Sequence, residues 1–125
     1  MPRSPSPVLT DGELRVMRVL WERGEANVGE VVDGMHEPPK PAYNTVLTML
    51  RILERKGQVK HRKQGRAFVF RAVVDREGAR HSALKYLVNR FFDDAPDLLV
   101  LNVLADKDTP ADVLASLKKR IAESE

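Results

Sequence analysis

Cysteine is absent from the 125-residue chain. That removes disulfides, thiolate metal sites and cysteine nucleophiles together. No apolar run approaches the ~20 residues that span a bilayer. The first residues, Met1 to Val8, carry one charge and three prolines and lack the apolar stretch of a signal peptide. The expectation is a cytoplasmic protein. No glycine-rich phosphate loop, nucleophile elbow or HExxH pair is present, so no enzyme and no cofactor is expected. Asp93, Asp94 and Asp97 cluster, but they fit a helix-breaking loop better than a catalytic pair. His36, His61 and His81 are scattered without the i, i+4 spacing of a helical metal pair, and no metal site is expected.

Hydrophobic residues make up 42% of the chain, enough for a core and too many for a disordered polymer. The net charge of +3 is mild, but its distribution is uneven. Arg51 to Arg71 hold eight Lys or Arg and one acid, Glu54, whereas Phe91 to Glu125 hold eight acids and four bases. A basic excess confined to one segment is the electrostatic footprint of a polyanion partner.

Residues 1–9 read as a flexible arm. Thr10 with Glu13 forms a capping box, and Leu14, Met17, Leu20 and Trp21 give the first helix an apolar face. Gly24 ends it. Asn27 with Glu30 caps a second helix carrying Val28, Val31 and Val32. After a proline-rich loop, Pro41 suits the first turn of a third helix, expected from about Ala42 to Lys56, with Gly57 as its stop. Two strands follow, Val59 to Arg62 and Ala67 to Ala72, with Lys63 to Arg66 as the turn. Three helices and a hairpin in that order spell a winged helix-turn-helix, expected over residues 10–73.

On a helical wheel of about 100° per residue, Ala42, Val46, Met49, Leu50 and Leu53 fall on one side of the third helix. Asn44, Thr48, Arg51 and Arg55 fall opposite, with Thr45 on the shoulder and Tyr43 near the amino end. Asn and Arg can bond a base edge at two points, and Thr can bond a base or touch a thymine methyl. The front of such a helix reaches bases, so Asn44, Thr45 and Thr48 are the expected readers, with Arg51 suited to either job. Arg55 and Lys56 are expected on phosphates. Lys60, Arg62, Lys63 and Arg66 crowd the hairpin and suit phosphate contacts, which add affinity without sequence information. A polar stripe is also what a solvated face looks like, and lysines also protect exposed strand edges. A winged helix used only for protein contacts is the alternative; it would present a neutral, apolar face here.

Residues 74–125 read as a helical dimerisation domain, making the whole chain mostly α with a small β-hairpin. Leu84, Leu87, Val88, Phe91 and Phe92 recur at helical spacing. Asp93 to Pro96 breaks that helix. Leu98 to Leu104 is almost wholly apolar (Leu98, Leu99, Leu101, Val103 and Leu104 among them) and is expected to be enclosed on every side. Thr109 and Pro110 open a last helix with Val113, Leu117 and Ile121 on one side. So small a unit usually needs a partner, and a two-fold homodimer would place two recognition helices on an inverted repeat. A monomer whose last helices fold back on the winged helix is the other arrangement.

The chain resembles the penicillinase-repressor family of bacterial transcription factors (the BlaI/MecI/CopY group). The carriers are Leu9-Thr10 with Glu13, Val19-Leu20-Trp21, the run Tyr43 to Leu50, and Leu53-Glu54-Arg55-Lys56-Gly57. The resemblance implies a homodimeric repressor on duplex DNA operators. It further implies, in the β-lactam branch, a membrane sensor peptidase as partner and a cut after asparagine in a Leu-Val-Leu-Asn stretch. Leu99-Val100-Leu101-Asn102 matches, placing the candidate bond at Asn102–Val103; the family has phenylalanine where this chain has Val103. The cysteine-rich metal motif of the copper-responsive branch has no counterpart here.

Overall fold

The computed structural model describes residues 8–124. Most of the arm expected over 1–9 lies outside these residues. Val8 and Leu9, which lie inside them, are tied down: Leu9 packs on the core, and the Val8 carbonyl accepts from Lys56 Nζ at 3.3 Å.

Helix α1 spans Asp11–Arg23. Its capping box is complete, with Glu13 N–H donating to Thr10 Oγ1 and Thr10 N–H donating to Glu13 Oε1. The box satisfies donors that the first turn leaves free. The helix stops where Gly24, at φ 85°, takes a conformation that a side chain would resist. Helix α2, Val28–Gly34, is capped the same way by Asn27 and Glu30. Helix α3 spans Tyr43–Arg55, with Ala42 at its N-cap. Pro41 therefore lies ahead of the helix rather than in its first turn.

Three strands form one antiparallel sheet in the order β1-β3-β2. Strand β1 is Glu25–Asn27, β2 is Val59–Gln64 and β3 is Ala67–Ala72. The sequence shows only the hairpin. Strand β1 was hidden between a helix stop and a helix cap, and it pairs with β3 through Ala26 opposite Phe70. The expected four-residue turn is also shorter. Gln64 pairs with Ala67, which leaves only Gly65 and Arg66 in the loop and puts Lys63 in the ladder opposite Phe68. Gly65 has φ 62°, the positive φ that a two-residue hairpin loop needs at its first position.

The core joins all these elements. Val16, Met17 and Leu20 of α1 meet Val31 of α2, Val46, Leu50 and Leu53 of α3, and Val59 and Phe70 of the sheet. Burying each such side chain stabilises the fold by about 1.5–3 kcal/mol. Leu14 and Trp21, expected on the same face as Met17, are only half-buried. Trp21 donates its indole N–H to the Val74 carbonyl at 2.9 Å.

The chain divides into two compact units between Leu84 and Lys85. Helix α4, Arg76–Phe91, crosses that divide; α5, Pro96–Ala105, and α6, Ala111–Glu123, belong to the second unit. The break after α4 uses Asp93 and Asp94 at φ 50° and 60°, with Asn89 Nδ2 donating to Asp94 Oδ1. Thr109 does not cap α6. Its hydroxyl donates to the Val103 carbonyl instead, and Pro110 occupies the N-cap without a side-chain bond. Among the described residues no helix is long and apolar enough to cross a membrane.

Candidate nucleic-acid interface

The two sides of α3 behave as the wheel requires. Val46, Leu50 and Leu53 are fully buried, while Tyr43, Asn44, Thr45, Thr48, Arg51 and Arg55 are all exposed. Among the described residues, the side chains of Asn44, Thr45, Arg51 and Arg55 have no hydrogen-bond or ionic partner. Thr48 donates its hydroxyl to the Asn44 carbonyl at 2.9 Å. That bond uses its proton and leaves the oxygen lone pairs and the methyl group available.

Lys56 departs from expectation. It follows Arg55 in sequence but turns inward, with its side chain only 9% exposed. Its ammonium donates to Glu13 Oε1 at 2.7 Å. A cation so placed cannot also grip a phosphate, so Lys56 is part of the scaffold. Burial pushes the Glu13 carboxyl up, but the Lys56 ammonium and the Thr10 donors outweigh it and hold the group below the ordinary carboxylate value.

The hairpin exposes Lys60, Arg62, Lys63 and Arg66 but does not gather them on one face. Successive strand residues point to opposite sides. Lys63 shares a face with His61 and Phe68, the side that also sends Val59 and Phe70 into the core. Lys60 and Arg62 lie on the other side, where Lys60 pairs across from Arg71. Arg66 sits in the turn. Arg62 is already partnered, donating to Glu25 Oε1 of β1 at 2.8 Å. Lys60, Lys63 and Arg66 have no such partner among the described residues.

His61 ties the hairpin to α3. Its Nδ1 lies 2.6 Å from Glu54 Oε2, and its ring packs edge-on against Phe68 at 5.0 Å. With its side chain 39% exposed, His61 serves as a clasp between hairpin and helix. The roles of Glu13, Glu25 and Glu54 left no trace in sequence beyond the Thr10–Glu13 cap, because each partner lies elsewhere along the chain.

The apolar residues of α4, α5 and α6 expected at a dimer interface remain uncovered. No residue of α4, α5 or α6 is buried. Leu84, Leu87, Leu98 and Val103 are exposed, Phe91 is 67% exposed and Leu101 58%. Val88, Phe92, Leu99, Leu104 and Leu117 are half-buried. The enclosure expected for Leu98 to Leu104 is therefore not supplied by the described residues. Asn102 and Val103, the candidate cleavage residues, are both exposed within α5. Asn102 donates its amide to the Leu98 carbonyl one turn back.

Comparison with known proteins agrees with this architecture. The Penicillinase repressor family matches residues 9–123. The penicillinase repressor of Bacillus licheniformis is 29% identical over 117 residues, covering 94% of this chain and 91% of that protein. The methicillin resistance regulatory protein MecI of Staphylococcus aureus (strain N315) is 20% identical over 110 residues, covering 88% and 89%. The solution structure of the DNA-binding domain of the repressor BlaI superposes with a TM-score of 0.52 at 33% identity, covering 61% of this chain and 93% of that domain. The winged helix read from the sequence thus has a solved counterpart. The chain belongs to the penicillinase repressor family, whose members are transcriptional repressors rather than enzymes.

Proposed function

We propose that this chain is a transcriptional repressor that binds inverted-repeat duplex DNA as a homodimer, with α3 in the major groove. The observation that carries the reading is the outward face of α3. Among the described residues, Asn44, Thr45, Arg51 and Arg55 stand exposed without a partner, beside unpaired Lys60, Lys63 and Arg66. Amide and guanidinium groups held on a rigid helix are the donors that read base edges. Asn44, Thr45 and Thr48, at the front, take the bases. Arg51 is in reach of bases or backbone. Arg55 and the hairpin cations take phosphates, which fix register and supply salt-sensitive affinity.

The uncovered apolar residues of α4 to α6 support the dimer, because exposed apolar surface on this scale marks an association site. Two recognition helices related by a two-fold axis would meet half-sites about one DNA turn apart. Release by a membrane sensor peptidase, cutting at Asn102–Val103, completes the proposal. Asn102 and Val103 are exposed, yet the bond is helical, so α5 must open locally before a protease can take it as extended chain.

The test is fluorescence anisotropy on the DNA upstream of the chain's own gene, with footprinting to define the protected repeat. Affinity should fall steeply with salt, by about 0.9 in log–log slope per neutralised phosphate. A flat salt response, or protection without a repeat, would overturn the reading.

A further inference from the structure

A groove of about 280 Å³ opens in the first unit between α1 and the start of α4. Its apolar lining comes from Val8, Leu9, Leu14, Trp21, Ala79 and Ala83. Three guanidinium groups also line it, Arg18, Arg76 and Arg80, and among the described residues no acidic residue does. The three are not equivalent. Arg76 lies over the Trp21 ring at 5.5 Å, where the cation is held by the π face. Arg80 donates to Glu77 at 2.8 Å, an exposed pair that water screens. Arg18 is exposed and, among the described residues, has no partner at all. The small side chains Ala79 and Ala83, one turn apart on α4, are what leave the space open.

We propose that this groove binds a small aromatic carboxylate. Its apolar walls suit a ring, and its volume suits one or two fused rings rather than a larger ligand. The cation-only rim selects the charge, because a guanidinium fork matches a carboxylate at two points. A neutral ring gains the walls but not the rim. A simple anion gains only exposed arginines, which hold it weakly. Helix α1 forms one wall and packs directly on α3, so the site lies one helix behind the face proposed to read DNA.

Trp21 is the sole tryptophan of the chain, so its indole N–H resonance reports on the groove without ambiguity. The full-length protein is titrated with 2-naphthoate and, in parallel, with the uncharged 2-naphthalenemethanol. Naphthoate should shift the indole resonance to saturation and bind about two- to fivefold tighter than the alcohol. Arg18→Gln with Arg80→Gln should bring naphthoate down to the alcohol's affinity and leave the alcohol unchanged. Ala83→Leu, which fills the groove, should abolish both. Equal affinity for acid and alcohol, or no saturable indole shift, would overturn the proposal. So would an indole shift on dilution that naphthoate suppresses, which would assign the groove to a second copy of the chain.

Discussion

Lys56 Nζ lies 2.7 Å from Glu13 Oε1, joining the C-cap of α3 to the first turn of α1. The same Glu13 oxygen also accepts from the Thr10 N–H at 2.8 Å, and Glu13 Oε2 has no partner among the described residues. The pair therefore locks the start of one helix to the end of the presenting helix. Removing one member of a buried pair leaves the other uncompensated, at a cost of about 3–5 kcal/mol. Lys56→Met should destabilise by that order in urea unfolding. The double variant with Glu13→Gln should recover part of the loss. At the DNA, Lys56→Met should leave the salt slope unchanged, whereas Arg55→Gln should reduce it by about 0.9 per protomer, or about 1.8 for the dimer.

Acid should weaken this protein in part through Glu13. Its folded-state pKa is lowered from an ordinary 4.5. A carboxylate lowered on folding contributes stability that is fully present above the ordinary value and is lost as pH falls through the folded value. The unfolding midpoint should therefore hold level above about pH 5 as far as this group is concerned, and fall below 4.5. Glu13→Gln should be less stable at neutral pH and flatter across the acid range. An acid limb of equal steepness in both proteins would show that Glu13 does not govern it.

The contrast between Arg55 and Lys56 shows what sequence can and cannot convey. Signals that reach only three or four residues were legible. Thr10 with Glu13, Asn27 with Glu30, and the alternation of Leu50 and Leu53 against Arg51 and Arg55 all became the expected structure. What was missed depends on distant partners. Lys56 looks like a second Arg55 until the fold brings Glu13, 43 residues earlier, beneath it. Strand β1 is three residues long and has no reason to be extended until Phe70 lies opposite Ala26. Arg62 looks as available as Lys63 until that strand brings Glu25 alongside. Thr109 had a local cap available, but its hydroxyl donates to the Val103 carbonyl in α5 instead.

The proposed dimer makes a separate demand. Leu101 is 58% exposed in the single chain and lies among the uncovered apolar residues of α5. A glutamate there would have to be desolvated at a two-fold interface, twice over. Leu101→Glu should sediment as a monomer at micromolar concentration, where the parent sediments as a dimer. It should retain its helix content and bind one half-site as the parent does, but lose the avidity that two linked half-sites provide. A parent that sediments as a monomer would end the dimer proposal.

Base reading and backbone grip should separate along α3 itself. Asn44 and Arg55 sit on one exposed stripe, three turns of helix apart. If the front reads bases, Asn44→Ala should cost about 1–3 kcal/mol per half-site of the preferred repeat and much less on unrelated DNA. Its preference at one position should relax, and its salt slope should hold, because an amide neutralises no phosphate. Arg55→Gln should weaken all sequences alike and shallow the slope. Arg51→Ala decides its own assignment by which pattern it follows. Should Asn44→Ala weaken specific and unrelated DNA equally, the sequence-reading role would pass to another residue of the stripe, with Thr45 and Thr48 next in reach.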